Sequence, residues 1–320
     1  MYINKVRVTI AGKYQANAVH SVKIKSTWRD TMTTCQIELP GLGVQLKKQV
    51  KEGDEVRVEF SQVPAGSESN FKTEFTGYIA QIKKSVPFTL ACEDESYIWK
   101  RKPAISKFYK QIKVKDLLEE LFGDAVDVRD STPDITLVKL RLNRVTPFEV
   151  LQKIKQQYFL TAYFRNGKLL TGVPYLVEKT SPKVIYSFEQ NIIKDSLTFK
   201  SKDNVKLKAR VISIMGDGSK IEFSVGDTGG AERVLRYRGI SDKSKLETLA
   251  KIQLEKLKKD TIEGSFTTFG VPFVQHSHVA ELRSTKYPEK QGLYFIDGVQ
   301  VEFSTSGFRR KIKLGKKMNG

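Results

Sequence analysis

Most of the chain alternates hydrophobic and polar residues with a period of two. Near the amino terminus, Val6, Val8 and Ile10 are separated by Arg7 and Thr9, and this is the first of six short segments with such alternation within the first hundred residues. A period of two is typical of strands that bury one face. The pattern therefore predicts a small antiparallel β-barrel or sandwich over residues 1–102.

Between residues 103 and 188 the period changes. Apolar residues recur at helical spacing over 113–122, where Gly123 provides the stop. A second helix is predicted to begin at Thr146, because Pro147 suits the first helical position and Glu149 completes a capping box. Asn166-Gly167 then supplies the positive φ angles of a two-residue hairpin turn. These signals predict an α/β insert over residues 103–188.

Period-two segments return over residues 189–320, interrupted by one helix predicted at about 242–259 and capped by Ser241 or Asp242. The sequence thus predicts a mainly β protein with two small antiparallel β-barrel domains flanking an α/β domain. The strand pair that starts at Phe75 resembles the pair that starts at Gly292. A duplication would explain the likeness, although any two antiparallel pairs could share it by chance.

Composition places the chain among ordinary globular proteins, with 320 residues of which 39% are hydrophobic and 28% charged. No stretch is apolar enough to be a membrane span or a signal peptide, so we expect folding in a cytoplasm. In that reducing compartment, Cys35 and Cys92 are expected to be buried free thiols and not a disulfide.

The net charge of +19 is the most unusual property of the sequence, and the basic excess grows towards the carboxyl end. The last segment forms a run of basic residues without an acidic one, and we predict that this basic tail docks an acidic partner or a phosphate backbone. A solvated face that only keeps the protein soluble is the alternative. The residues of the basic tail are Arg309, Arg310, Lys311, Lys313, Lys316 and Lys317.

Catalytic motifs are absent from the sequence, which has neither a nucleophile elbow nor a phosphate-binding glycine loop. His276 and His278 have the spacing of two zinc ligands, but no cysteine or acidic cluster lies nearby, so surface strand positions are predicted. The carboxylates of Glu93, Asp94 and Glu95 are predicted to mark a solvated strand end. We therefore predict no enzymatic activity, no cofactor and no metal.

Several degenerate motifs occur in a specific order along nearly the whole chain. They are Phe75-Thr-Gly-Tyr-Ile followed by Thr89-Leu-Ala-Cys-Glu-Asp, the helical segment that ends at Phe122, the helix and hairpin over 147–172, and the closing segments that start at Gly270, Gly292 and Gly307. In this order the chain resembles the baseplate hub proteins of contractile-tailed phages, the late control protein D family. That family is similar to the hub portion of VgrG spike proteins.

The resemblance implies two tube-like barrels flanking an α/β domain, with three copies forming a ring of six similar barrels around a channel. The implied partners are the tail tube protein, a central spike protein, baseplate wedge proteins, and the tape-measure protein and DNA that pass through. The implied location is the tail baseplate of a virion, assembled in the host bacterial cytoplasm, with the spike on a separate polypeptide.

The strongly basic net charge departs from this expectation. Phosphate contacts would retard DNA in a channel, so we expect the basic excess on outer or docking surfaces. Two other functions remain open from the sequence. The charge favours a nucleic-acid-binding β protein, whereas a cell-wall hydrolase has no paired carboxylates to support it.

Overall fold

A computed structural model describes residues 2–40, 49–128, 132, 134–158, 160–172, 182–200, 205–215, 217–238, 240–257 and 261–318. Backbone contacts divide the chain into two compact units. One unit contains residues 1–196 together with 265–320, and the other contains residues 197–264.

The first β half follows the period-two pattern, since Val6, Val8 and Ile10 of the first strand are all buried. Its strands pair antiparallel in the order β3-β4-β7-β6-β5-β1-β2. Cys35 lies opposite Cys92 in the β4–β7 register, and both thiols are buried and free, as predicted. The strands are β1 (Tyr2–Ile10), β2 (Tyr14–Ala16), β3 (Ser21–Thr27), β4 (Thr34–Leu39), β5 (Glu55–Pro64), β6 (Lys72–Lys83) and β7 (Phe88–Glu93).

The α/β insert follows, and it has a hydrophobic core built from both of its longer helices and its strands. The predicted capping box is confirmed: the Glu149 amide donates to Thr146 Oγ1, and the Thr146 amide donates to Glu149 Oε2. The Asn166-Gly167 turn has positive φ at both residues, as predicted. The elements are α1 (Ser96–Lys100), β8 (Ile105–Lys113), α2 (Val114–Phe122), β9 (Val126–Val128), β10 (Thr136–Val145), α3 (Pro147–Tyr158), β11 (Thr161–Arg165) and β12 (Lys168–Gly172).

The chain then forms β13 (Lys183–Ser187) and β14 (Ile192–Asp195) before it enters the second unit. That unit has a core of its own, in which Leu246, Ala250 and Leu254 of one helix pack on a three-stranded sheet. The sequence did not predict this separate core, and the three-domain division remains a prediction. Its elements are β15 (Thr198–Lys200), β16 (Leu207–Ile214), β17 (Lys220–Gly226), β18 (Ala231–Arg238), α4 (Lys243–Leu257) and β19 (Thr261–Glu263).

The second β half continues the sheet of the first. Its remaining strands are β20 (Ser265–Phe269), β21 (Val279–Arg283), β22 (Gly292–Ser304) and β23 (Gly307–Lys317). One segment of the long strand β22 pairs with β21, and the segment from Gly298 to Ser304 pairs with β3. A single sheet therefore runs from β14 through β20, β23 and β22 into β3 and on to β1 and β2.

The first β half curls back towards β22, since Phe60 on β5 and Phe303 near the end of β22 are stacked with ring centroids 5.0 Å apart although several strands separate β5 from β22 in the sheet. A groove of about 770 Å³ remains between β1 and the turn that joins β22 to β23. No closed barrel is found in the strand pairing of the described residues. The mainly β fold is confirmed, while the two predicted barrels are not. In the part of the chain that the structure describes, no helix has the length and apolar character needed to cross a membrane.

Candidate partner-docking surface

The basic tail occupies β23, where alternation of the strand separates its residues between two faces. Arg310 shares the buried face with Phe308 and Ile312. Lys311 and Lys313 are exposed on the opposite face, and Arg309 is half-buried there. Further along, Lys316 is exposed and Lys317 is half-buried, with its Nζ 5.6 Å from the ring centroid of Tyr294. The sequence predicted one basic surface from these residues, but the alternation of β23 places them on two opposite faces.

Arg310 is only 1% exposed and forms an ion pair with Glu74 of β6. Its Nη1 donates to Glu74 Oε2 at 3.0 Å, its Nη2 donates to Glu74 Oε1, and its Nε donates to the Gly270 carbonyl at 2.5 Å. Burial raises the pKa of the Glu74 carboxyl, and the nearby guanidinium opposes that shift. Arg310 therefore connects the two β halves from inside and is not part of an exposed basic surface.

Lys311, an exposed residue of β23, has a cation two strands away on either side, beyond an uncharged residue on each adjacent strand. Lys311 lies opposite Gln300 of β22, which lies opposite Lys25 of β3. On the other side, Lys311 lies opposite Thr267 of β20, which lies opposite Lys194 of β14. Because partners in register share a face of a sheet, these side chains extend to the same side.

We call this surface the basic face. Within it Glu302 is the carboxylate that the register places among the cations, and its Oε1 lies 3.6 Å from Lys23 Nζ. Among the described residues, no ion pair joins Lys25, Lys311 or Lys313 to a carboxylate. The residues of the basic face are Lys23, Lys25, Lys194, Arg309, Lys311 and Lys313.

Sequence reasoning missed Lys23, Lys25 and Lys194 as members of this surface. The signal for each lysine was present locally, since alternation predicts that it is exposed on its own strand. Their proximity to Lys311 was not predictable, because it depends on β22 pairing with β3. For Arg310 a local signal also existed, since its period-two neighbours Phe308 and Ile312 are apolar.

The same sheet face continues across β4, β7, β6, β5 and β1, and there the charges are balanced. Arg7 lies 3.6 Å from Glu59, and Lys100 Nζ donates to Glu93 at 3.0 Å. We call this region the balanced face. Its cations are Lys5, Arg7, Arg57 and Lys83, and its carboxylates are Glu38, Glu55, Glu59 and Glu93.

The two histidines with zinc-ligand spacing are not surface strand residues, so that prediction is wrong. His276 and His278 are 3% and 8% exposed, and they lie in the turn before β21. The rings of Tyr163 and His276 meet edge to face with their centroids 4.4 Å apart, and Arg165 donates a hydrogen bond to the His276 carbonyl at 2.7 Å. Burial lowers the pKa of His276 well below its usual value. No cluster of metal-ligating side chains exists within the described ranges.

The prediction of a solvated strand end at Glu93, Asp94 and Glu95 is also wrong for Asp94, which is 4% exposed. Its carboxylate accepts hydrogen bonds from the amides of Thr33 at 2.6 Å and Ser96 at 3.0 Å. Burial raises the pKa of Asp94 to about 7. Asp94 lines a partly open cavity of about 100 Å³ together with residues of both β halves and of the insert hairpin. These contacts indicate that Asp94 has a structural role where the two β halves and the insert hairpin meet.

Comparison with known proteins gives structural likenesses only. No family model matches the chain, and no curated protein matches it. A tail protein from Neisseria meningitidis has a similar structure, with 17% identity, a TM-score of 0.62, and coverage of 99% of this chain and 97% of that one. A 43 kDa tail protein of prophage MuSo2 from Shewanella oneidensis has 12% identity, a TM-score of 0.61, and coverage of 98% and 97%.

A component of the type VI secretion system of E. coli is also similar, with 7% identity, a TM-score of 0.54, and coverage of 98% of this chain and 79% of that one. That protein is described as structurally similar to the bacteriophage T4 tail proteins gp27 and gp5. At these identities the likeness concerns the fold. The chain has a mainly β fold that is also found in phage tail proteins and in a type VI secretion component.

Proposed function

We propose that this protein is a structural baseplate hub of a contractile phage tail or a related injection machine. Three copies would form a ring in which the six β halves surround a channel, with the tail tube on one side and the spike on the other. The ring would adapt a sixfold tube to a threefold spike and let the tape-measure protein and DNA pass. The observation that carries this proposal is the similarity of fold to tail proteins over nearly the entire chain.

The continuous sheet supports the proposal. Because β22 pairs with β3, each copy already contains two β halves side by side in one hydrogen-bonded sheet. A ring needs the same kind of contact between copies, from the last strand of one sheet to the first strand of the next. Such a head-to-tail contact closes into a ring when the rotation between copies is one third of a turn.

Both ends of the sheet have edges suited to that contact. At one end, β2 pairs with β1 only at Val8–Ile10, so the Tyr2–Arg7 edge has no strand partner among the described residues. At the other end, β14 pairs only with β20 in the described part of the chain. Ile3 is 39% exposed on the first edge, and Ile193 is 45% exposed on the second. An unpaired edge with exposed apolar side chains is a template for pairing with another chain.

Edge substitutions test this proposal. Ile193→Glu places a charge on the β14 edge, and Ile3→Glu does the same on the β1 edge. Because both side chains are partly exposed, we expect each variant to fold but to lose the trimeric species in light scattering. Val138→Glu is the matched control, since Val138 is 66% exposed on β10 of the insert. Folded edge variants that still form rings would count against strand-edge assembly.

A further inference from the structure

We propose that the basic face is a binding surface for the phosphate backbone of duplex DNA. This inference goes beyond the hub proposal, since it depends on the surface of one chain and not on ring formation. It also differs from the sequence prediction, because Arg310 is excluded and Lys23, Lys25 and Lys194 are included.

Charge density is the first reason. Six cations share the basic face with the carboxylate of Glu302, and Glu38 of β4 borders this face beside Lys23, whereas the balanced face of the same sheet has equal numbers of both signs. A surface that served only solubility would not need this segregation, because dispersed charge has the same effect. Lys25, Lys311 and Lys313 form no ion pair with a described carboxylate, so they are available to an anionic ligand.

Spacing is the second reason. Adjacent strands lie about 4.8 Å apart and alternate residues about 6.7 Å apart, so the basic face extends roughly 19 Å across the strands and about 13 Å along them. Duplex DNA carries one negative charge per about 1.7 Å of its axis, so about 19 Å of duplex presents roughly eleven phosphates. Only the phosphates on the side of the duplex that faces the sheet can reach these cations, roughly half of the eleven, so the number of phosphates within reach is comparable to the six cations.

The side chains between the cations favour DNA over an acidic protein. The register places Ser265, Thr267, Gln300 and Thr27 there, which are small or polar residues. Stable protein interfaces rely on buried aromatic or apolar anchors and are depleted in lysine. Phe269 is the exposed aromatic residue at the margin of the face, and the Arg309 guanidinium lies 5.2 Å from its ring centroid.

The register places one exposed aromatic residue, Phe269, beside these cations, and this small number favours duplex over single-stranded DNA as the ligand. Single-strand grooves stack successive bases on exposed aromatic rings. A flat set of lysines instead contacts phosphates without reading the sequence. The expected binding is therefore sequence-independent and strongly dependent on salt.

Fluorescence anisotropy with a labelled duplex of arbitrary sequence, measured over a series of salt concentrations, tests the proposal. The triple variant Lys25→Gln, Lys311→Gln, Lys313→Gln should reduce the slope of log K against log salt by about 2.7, since each lost phosphate contact contributes about 0.9. Affinity at low salt should fall at least tenfold. The matched control is Arg57→Gln, Lys72→Gln, Lys83→Gln on β5 and β6, which removes the same charge at exposed side chains and should alter the slope by less than one contact.

Equal losses of DNA affinity and of salt slope in the two triple variants would overturn the proposal, because they would show that binding responds to net charge alone. Tighter binding of a single strand than of the duplex would overturn it as well, and so would competition by poly-glutamate at equal charge that matches competition by DNA. All substituted side chains are exposed and lie on strands other than β1 and β14. The mass of each variant by light scattering therefore separates failure of DNA binding from failure of ring assembly.

Discussion

Arg310 and Lys311 are adjacent in sequence but lie on opposite faces of β23, and their surroundings differ completely. The Arg310 guanidinium is enclosed between two β halves with a carboxylate and a carbonyl as partners. Lys311 is exposed beside other cations. The comparison shows that alternation along a strand divides a run of basic residues between two faces. The residues on the buried face stabilise the fold, and those on the exposed face are available to a ligand.

The largest expected effect is the loss of the buried charge pair. Arg310→Met leaves the Glu74 carboxyl buried without its partner, and we expect the free energy of unfolding to fall by about 3–5 kcal/mol. Urea denaturation measures this change. The double variant Glu74→Leu, Arg310→Met removes both charges and should recover much of the loss. If Arg310→Met had no more effect than Lys311→Met, the contrast between the two faces would be lost.

The pH dependence of the unfolding free energy tests the buried side of this comparison at a second residue, Asp94. Burial raises the pKa of Asp94 from 3.8 to about 7 in the folded protein, so its neutral form is the one the fold favours. The contribution of Asp94 is therefore fully present below about pH 4 and is lost as the pH rises through about 7. The difference in unfolding free energy between the parent protein and Asp94→Asn should change over this window and stay constant above it. A difference that is independent of pH between 4 and 8 would contradict a buried, protonated Asp94.

The smallest expected effect is that of Lys311→Met on stability. Its side chain is exposed and forms no ion pair with a described carboxylate, so we expect the free energy of unfolding to stay within about 0.5 kcal/mol of the parent value. The same urea denaturation series measures it. A loss as large as that of Arg310→Met would show that Lys311 is structural, and would weaken the argument that the basic face is available for binding.

The sequence predicted the elements that depend on local signals. The α3 helix has its capping box at Thr146 and Glu149, and the β11–β12 hairpin has its Asn166-Gly167 turn, because hydrogen bonds and φ angles within a few residues determine both. The buried thiols followed from strand alternation in the same way. These parts of the α/β insert were therefore predictable without tertiary information.

The features that define the candidate site depend on contacts distant in sequence. The β22–β3 pairing joins residues near 300 to residues near 24, and it alone brings Lys25 close to Lys311. Likewise, His276 is buried because the ring of Tyr163 from the insert packs against it. No local pattern encodes such partners, which is why the basic face and the buried histidines could not be predicted from the sequence.

The absolute mass of the purified protein, measured by light scattering with negative-stain images of the same fractions, tests the hub proposal most directly. Three copies of the 36.4 kDa chain predict a species of about 109 kDa that appears as a ring with a central hole. A monomer near 36.4 kDa at every accessible concentration, with no ring in the images and no trimer after chemical crosslinking, would contradict the account.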